Sequence, residues 1–282
     1  MNKLKPERQE AVVRALMEGC SVRAVERLTG VHRDTICRLT VRVGEACDRL
    51  HDEVMRNLPC QRIEMDELWA FVRKKQRQVT SDDNPAEVGD AWCWLAVDPD
   101  SKAVPAYHVG KRTGADADAF VADLAGRLKN RVYLSSDALG LYASSVDRAF
   151  GVAVDYATVV KAYEAVPIGP GRYSPPRVTA VSKQAVVGSP DLPAATTSHS
   201  ERLNLSVRTS LRRFTRLSLG FSKTFKGLRG AVGLFVAHYN LVRVHLSLRI
   251  TPAMAVGVTR RVWTVRDLVD YATQTAAGEK GL

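Results

Sequence analysis

The sequence predicts an α/β fold: a mixed five-stranded sheet flanked by helices and preceded by a small all-helical unit. Three observations carry that expectation. Apolar residues recur at helical spacing between residues 7 and 42, three β-rich segments then follow at hairpin spacing, and helical and strand-like stretches alternate beyond them.

In the helical unit, Ala11, Val12, Ala15 and Leu16 form one apolar stripe, Val22, Val25 and Leu28 a second, and Val31, Ile36 and Leu39 a third. Ser21 is placed to cap the second helix, and Gly30 supplies the turn after it. The phrase SVRAVERLTGVHRDTICRL resembles a helix-turn-helix, whose third helix would enter a major groove with His32, Arg33, Asp34, Thr35 and Arg38 facing it. A plain three-helix packing unit is the alternative. This unit is expected to span 1–45, with a helical connector over 46–60 around Pro59.

Strands are expected over Ile63–Val72, Ala91–Val97 and Ala103–Val109, the last two joined by the turn DPDSK, which makes an antiparallel meander. Thr113–Leu128 follows as an amphipathic helix with Ala119, Phe120, Leu124 and Leu128 inward. Val132–Leu134 is a short strand, Leu139–Phe150 a helix, and VAVDYATVV another strand. Residues 164–197, rich in Pro, Gly, Ser and Thr, read as a long loop or small insertion. Two long helices are expected over 199–219 and 228–243, so that one domain covers 61–250 and a tail covers 251–282.

The chain has 282 residues, 45% of them hydrophobic, enough for a substantial core. It contains no apolar run of about eighteen residues, the length a membrane-spanning helix needs. The opening MNKLKPERQEAVV lacks the apolar stretch of a signal peptide, so a cytoplasmic location is expected. Five cysteines without a close pair argue against both a disulfide framework and a structural zinc site. The net charge of +11 is localised: from Arg202 to Arg266 there are 13 Lys or Arg and no acid. The 41 basic residues less these 13 leave 28 against 30 acidic ones, a balance of −2. So long an uncompensated run calls for a polyanion, and nucleic acid is the commonest.

RIEMDELWAFV, residues 62–72, has the pattern of a core strand yet carries Glu64, Asp66 and Glu67. Alternation puts Asp66 on one face with Leu68, Ala70 and Val72, where an ionised carboxylate needs a counter-charge or a metal. Asp137 ends the strand that contains SSD. Glu201 opens the helix of SHSERLNLSVR and shares a helical face with Asn204 and Arg208. Singly these have ordinary explanations, namely a salt bridge, a helix cap and a dipole contact. Together they suit Mg²⁺ or Mn²⁺, and two such ions about 3.5–4 Å apart serve in-line phosphoryl transfer. Glu67 and Trp69 read as structure beside that site.

The motifs MDELWAF (65–71), GDAWCWLAVDPDSKAVPAYHVG (89–110), SSD (135–137), SERLNL (200–205), RRFTRLSLGFSK (212–223) and HYNLVRVHLSLRITPAMA (238–255) occur in an order that resembles bacterial transposases of the insertion sequence 1 family. The resemblance covers nearly the whole chain. It implies a ribonuclease-H-like catalytic fold and a metal-binding DDE triad of Asp66, Asp137 and Glu201. DNA, as element ends and target, and a homo-oligomer on that DNA are the implied partners. The gap of 64 between Asp137 and Glu201 (201 − 137) is long for such enzymes and marks 164–197 as an insertion. Where the family often has Gly-His-x-x-Tyr after the second Asp, this chain has Ala138 to Tyr142, keeping the Tyr but not the His.

Contacts to DNA are expected from Arg33, Arg38, Asn204, Arg208, Arg212, Arg213, Arg216 and Lys223. His238, Asn240, Arg243 and His245 suit phosphate contact and core ordering equally. A tyrosine recombinase built on His199, Arg202 and Tyr239 would leave Asp66 and Asp137 without a role. A catalytically silent, transposase-derived DNA-binding regulator is the remaining alternative.

Overall fold

The computed structural model describes residues 4–164 and 176–278. Helices α1 (Pro6–Met17), α2 (Val22–Thr29) and α3 (Arg33–Val54) open the chain. Ser21 Oγ accepts from Ala24 N at 3.2 Å and so caps α2. Gly30, left-handed at φ 65°, closes it with a bond to Glu26 O. The boundary expected at 45/46 falls inside α3, which runs unbroken for 22 residues through the expected connector.

Strands β1 (Arg62–Val72), β2 (Gly89–Val97) and β3 (Tyr107–Gly110) make the antiparallel meander. Helix α4 (Gly114–Ala125), β4 (Val132–Ser136), α5 (Gly140–Phe150) and β5 (Val154–Glu164) follow, with β4 parallel to both β1 and β5. The sheet is thus mixed and flanked by helices, as expected. Among the described residues the sheet has six strands, not five, in the order β3-β2-β1-β4-β5-β6. The sixth, β6 (Arg177–Val187), lies antiparallel to β5 inside the stretch expected as a loop. Its alternating Val178, Ala180 and Ser182 have the period of a strand despite the Pro- and Gly-rich flanks.

Helices α6 (Ser198–Ser210), α7 (Phe225–Ala237), α8 (Pro252–Ala255) and α9 (Val265–Gly278) complete the chain. Two helix lengths differ from expectation. Helix α6 ends at Ser210 because Leu211 turns extended, burying itself and Phe214. Helix α7 gives way after Ala237 to a wide π turn over His238–Val242. The expected tail contains α9, whose Val265, Leu268, Val269 and Ala272 pack into the core with α1 and α3.

Each sheet face has its own core. Ile63, Met65, Trp94, Leu134 and Tyr156 meet α4 and α5 on one side. On the other, Leu68, Ala70, Val72, Cys93 and Leu95 share a continuous core with the N-terminal helices, α6, α7 and α9. Helices α3 and α7 cross at Gly44 and Gly230, where a Cβ on Gly44 would stand 2.0 Å from the Gly230 carbonyl oxygen. Only glycine permits so close a backbone approach.

Candidate active site

Strands β1 and β4 run parallel with Met65 opposite Ser136. The next step in that register sets Asp66 beside Asp137, where β4 ends. It is also where the chain order in the sheet reverses, since β2 and β3 lie to one side of β1 and β4 and β5 to the other. Open sheets bind ligands at such a switch point, outside the carboxyl ends of the strands.

Carboxylate oxygens of Asp66, Glu67 and Asp137 converge there, all within 4.8 Å of one another. Asp66 is half-buried and accepts from Glu67 N at 2.8 Å and from Asn204 Nδ2 at 2.7 Å. Burial first, then the charges of Glu67, Asp137 and Glu201, push its pKa up to about 7. Asp137 Oδ1 accepts from Leu139 N, just ahead of α5. The Glu67 side chain is 1% exposed and pairs with Arg112 at 3.1 Å, while Arg112 also lies over the Trp92 ring. Burial raises the Glu67 pKa. Its Oε1 is buried without a hydrogen-bond partner, and the nearby Tyr142 hydroxyl is likewise unpartnered at ordinary hydrogen-bond geometry.

This donor set fits a hard divalent cation. Its donors are all oxygens, they converge, one is an orphaned buried oxygen, and burial together with the neighbouring carboxylates raises the Asp66 pKa, a cost that a bound cation would offset.

Glu201 stands apart from the trio. It lies in the first turn of α6, and its Oε1 accepts from Thr197 Oγ1 at 3.0 Å and from Lys161 Nζ on β5. Its charge nonetheless reaches Asp66. The sequence treated Glu67 as supporting structure and gave no sign of Lys161. A carboxylate on the far side of the same strand was the only available signal for Glu67.

Helix α6 is held by a residue that the sequence left unexplained. Its first-turn N–H groups have no side-chain cap from Thr197. Instead Glu64, 1% exposed, reaches across from β1 and accepts from His199 N at 2.7 Å and Ser200 N at 2.9 Å, with His199 Nδ1 at 2.8 Å. A buried carboxylate is stable here because the helix terminus supplies both N–H donors and positive potential. Glu64 thus fixes the helix that presents Glu201 and Asn204 to the Asp66 site.

The expected DNA-contacting residues fall into two groups. Arg33, Arg212, Arg213 and Lys223, far apart in sequence, line one cleft of about 650 Å³ between the N-terminal helices and the 211–223 segment. Arg38 and Arg216 are exposed outside it. Arg208 lies near Asp66 with its Nε buried and unpartnered, and burial then the Arg216 charge lower its pKa. Asn204 is committed to Asp66. Within the cleft lining, the Arg213 guanidinium is largely buried and donates to the buried Ser222 Oγ at 3.1 Å, which ties the 211–223 segment together. Asn240 orders the core, bonding both N and O of Val104 at 2.9 Å.

No protein-family model matches the chain, and no curated protein matches it. Among solved structures it is similar to the Mos1 transposase paired-end complex with left transposon end, at 14% identity and TM-score 0.22 over 53% of this chain and 58% of that one. The Mos1 strand transfer complex aligns at 15% identity and TM-score 0.21 over 52% and 56%. A pre-cleavage Mos1 transpososome aligns at 12% and 0.23 over 55% and 60%. The chain therefore spans less than two thirds of each. What the site can do rests on its own geometry.

Proposed function

We propose that the chain is a DNA transposase of the insertion sequence 1 type, binding the ends of its element and catalysing metal-dependent strand cleavage and strand transfer. The observation that carries this reading is the pair of aspartates side by side at the carboxyl end of parallel strands β1 and β4, with a glutamate helix laid alongside. In this reading Asp66, Asp137 and Glu201 hold Mg²⁺ or Mn²⁺, two ions in all, which when bound stabilise the attacking and leaving oxygens of an in-line phosphoryl transfer. Glu67 lends an oxygen to the same space and is kept in place by Arg112. Asn204 orients Asp66, and Arg208, beside it, faces the phosphate that reacts. Arg33, Arg38, Arg212, Arg216 and Lys223 hold the flanking DNA. The working species is a homo-oligomer assembled on element ends.

The test is nicking of supercoiled plasmid carrying the element's ends. Asp66→Ala, Asp137→Ala or Glu201→Ala should abolish Mg²⁺-dependent nicking and leave DNA binding in Ca²⁺ close to wild type, because the phosphate contacts lie elsewhere. Nicking by Asp66→Ala would exclude the carboxylate site. The ion pair of Glu201 with Lys161 favours a second reading, in which the triad stays unassembled and the chain only binds DNA as a regulator. Wild-type protein that binds element ends tightly but never nicks them with Mg²⁺ or Mn²⁺ would support it.

A further inference from the structure

A second recess, of about 400 Å³, lies on the opposite flank of α6. At about 100° per residue, the buried Ser200, Leu203 and Val207 face the sheet. Glu201, Asn204 and Arg208 then stand roughly a quarter-turn to one side, at the carboxylates, while His199, Arg202 and Ser206 stand roughly a quarter-turn to the other. That second side is lined by Lys102 from the turn after β2 and by Arg243 and His245 from the segment after α7, with Tyr239 buried in its wall.

The recess gathers cations without acids. Neither Arg202 nor Arg243 pairs with a carboxylate among the described residues, and the Lys102 ammonium donates only to the Pro99 carbonyl. Glu64, the acid on this side, is occupied by α6 and His199. His245 is fixed: its Nδ1 meets Ser247 Oγ at 2.9 Å, and its carbonyl accepts from Leu248 N and Arg249 N. After burial, the charges of Lys102, Arg243 and Arg202 all lower the His245 pKa, and those of Arg243 and Arg202 act on Tyr239 as well. These groups crowd one concave space. Cations that repel one another there are relieved by an anion with several acceptor oxygens.

We propose that this recess is a phosphate subsite that takes a backbone phosphodiester of the nucleic-acid strand engaged at the Asp66 carboxylates. The inference rests on the nucleic-acid reading for its choice of strand. A helix is about 10 Å across and a strand advances about 3.4 Å per nucleotide, so the two phosphates lie roughly three nucleotides apart along a strand passing α6. The fully exposed Leu246 on the rim gives an apolar shelf that a nucleotide sugar can use and inorganic phosphate cannot.

The test uses full-length protein labelled with ¹⁵N at histidine, in EDTA, titrated with a short single-stranded oligonucleotide or with pyrophosphate. The His245 and His199 signals should move with the oligonucleotide at about tenfold lower concentration than with pyrophosphate. In Arg202→Gln/Arg243→Gln the His245 response should vanish while the buried His51 signal stays in place, and the slope of log affinity against log salt should flatten by about 1.4. A silent His245, an unchanged response in the double variant, or a response to pyrophosphate alone would overturn the proposal. Should the double variant unfold, Arg243→Gln, altering an exposed side chain, carries the same test. Failure of the transposase reading is separable: it appears as no nicking by wild type, whatever His245 does.

Discussion

Glu64→Leu removes a carboxylate and leaves its shape roughly filled, so its effect measures what that carboxylate does for α6. Two N–H donors in the first helical turn, His199 N and Ser200 N, lose their only acceptor. Ser200 is 1% exposed, so water cannot replace it readily. Each stranded buried donor costs about 1–3 kcal/mol, which puts the loss at roughly 2–6 kcal/mol. Glu64→Gln keeps one oxygen for both donors and only exchanges charge-assisted bonds for neutral ones, costing roughly 1–2 kcal/mol. Urea unfolding of both variants at neutral pH, with unchanged m values, gives the numbers directly. Because the carboxylate is buried, the ranking should persist in high salt. If Glu64→Leu unfolds within about 0.5 kcal/mol of wild type, α6 is not anchored from β1, and the account of how Glu201 is positioned fails with it.

Three further outcomes are expected. Asp66, with an ordinary pKa of 3.8 and about 7 in the fold, binds its proton more tightly folded than unfolded, so its stabilising contribution is complete below 3.8 and is lost as pH rises to 7. In EDTA at pH 8, Asp66→Asn should therefore melt above wild type, by at most roughly 4 kcal/mol and less after relaxation. The difference should disappear near pH 4 and shrink on adding Mg²⁺, and equal melting at pH 8 would refute the argument that burial and the neighbouring carboxylates disfavour the Asp66 charge. Gly44→Ala forces a methyl against the Gly230 carbonyl and should cost about 1–3 kcal/mol by thermal unfolding despite alanine's better helix propensity. Arg212→Ala with Arg216→Ala should flatten the salt slope for duplex DNA by up to about 1.8, whereas Arg213→Ala should lower the melting temperature and leave the slope nearly unchanged.

How much of this was legible in the sequence depended on how local each signal was. The meander, the β4 and β5 strands and the helix caps at Ser21 and Gly30 follow from spacing within a few residues, and all appear, although the third meander strand, expected from Ala103, starts only at Tyr107. The value of RIEMDELWAFV lay in its contradiction, carboxylates in a core strand, but the contradiction had two causes. Asp66 and Glu67 face a converging acidic site. Glu64 satisfies a helix terminus 135 residues away. No pattern within β1 separates those roles, because both need only a buried carboxylate. The end of α6 carried no Gly or Pro to mark it, and the burial of Arg213 depends on Ser222 coming to meet it. The strand β6 was hidden by the composition of its flanks, although its own period of two was present.

The unbroken run of α3 turns the first three helices and the sheet into a single rigid gauge. Its 22 residues span about 33 Å, its middle is locked to α7 at Gly44 and Gly230, and its last carbonyls are held by Arg127. Nothing along it can flex without breaking the packed core. Whatever the first turn of α3 grips is therefore held at a set distance and bearing from the β1 and β4 carboxylates. One residue inserted between Glu45 and Leu50 would swing that grip by about 100° and move it by about 1.5 Å. In the transposase reading, the point on a bound duplex that meets the carboxylates would be measured out by helix length, and changing it would require altering α3 by whole turns.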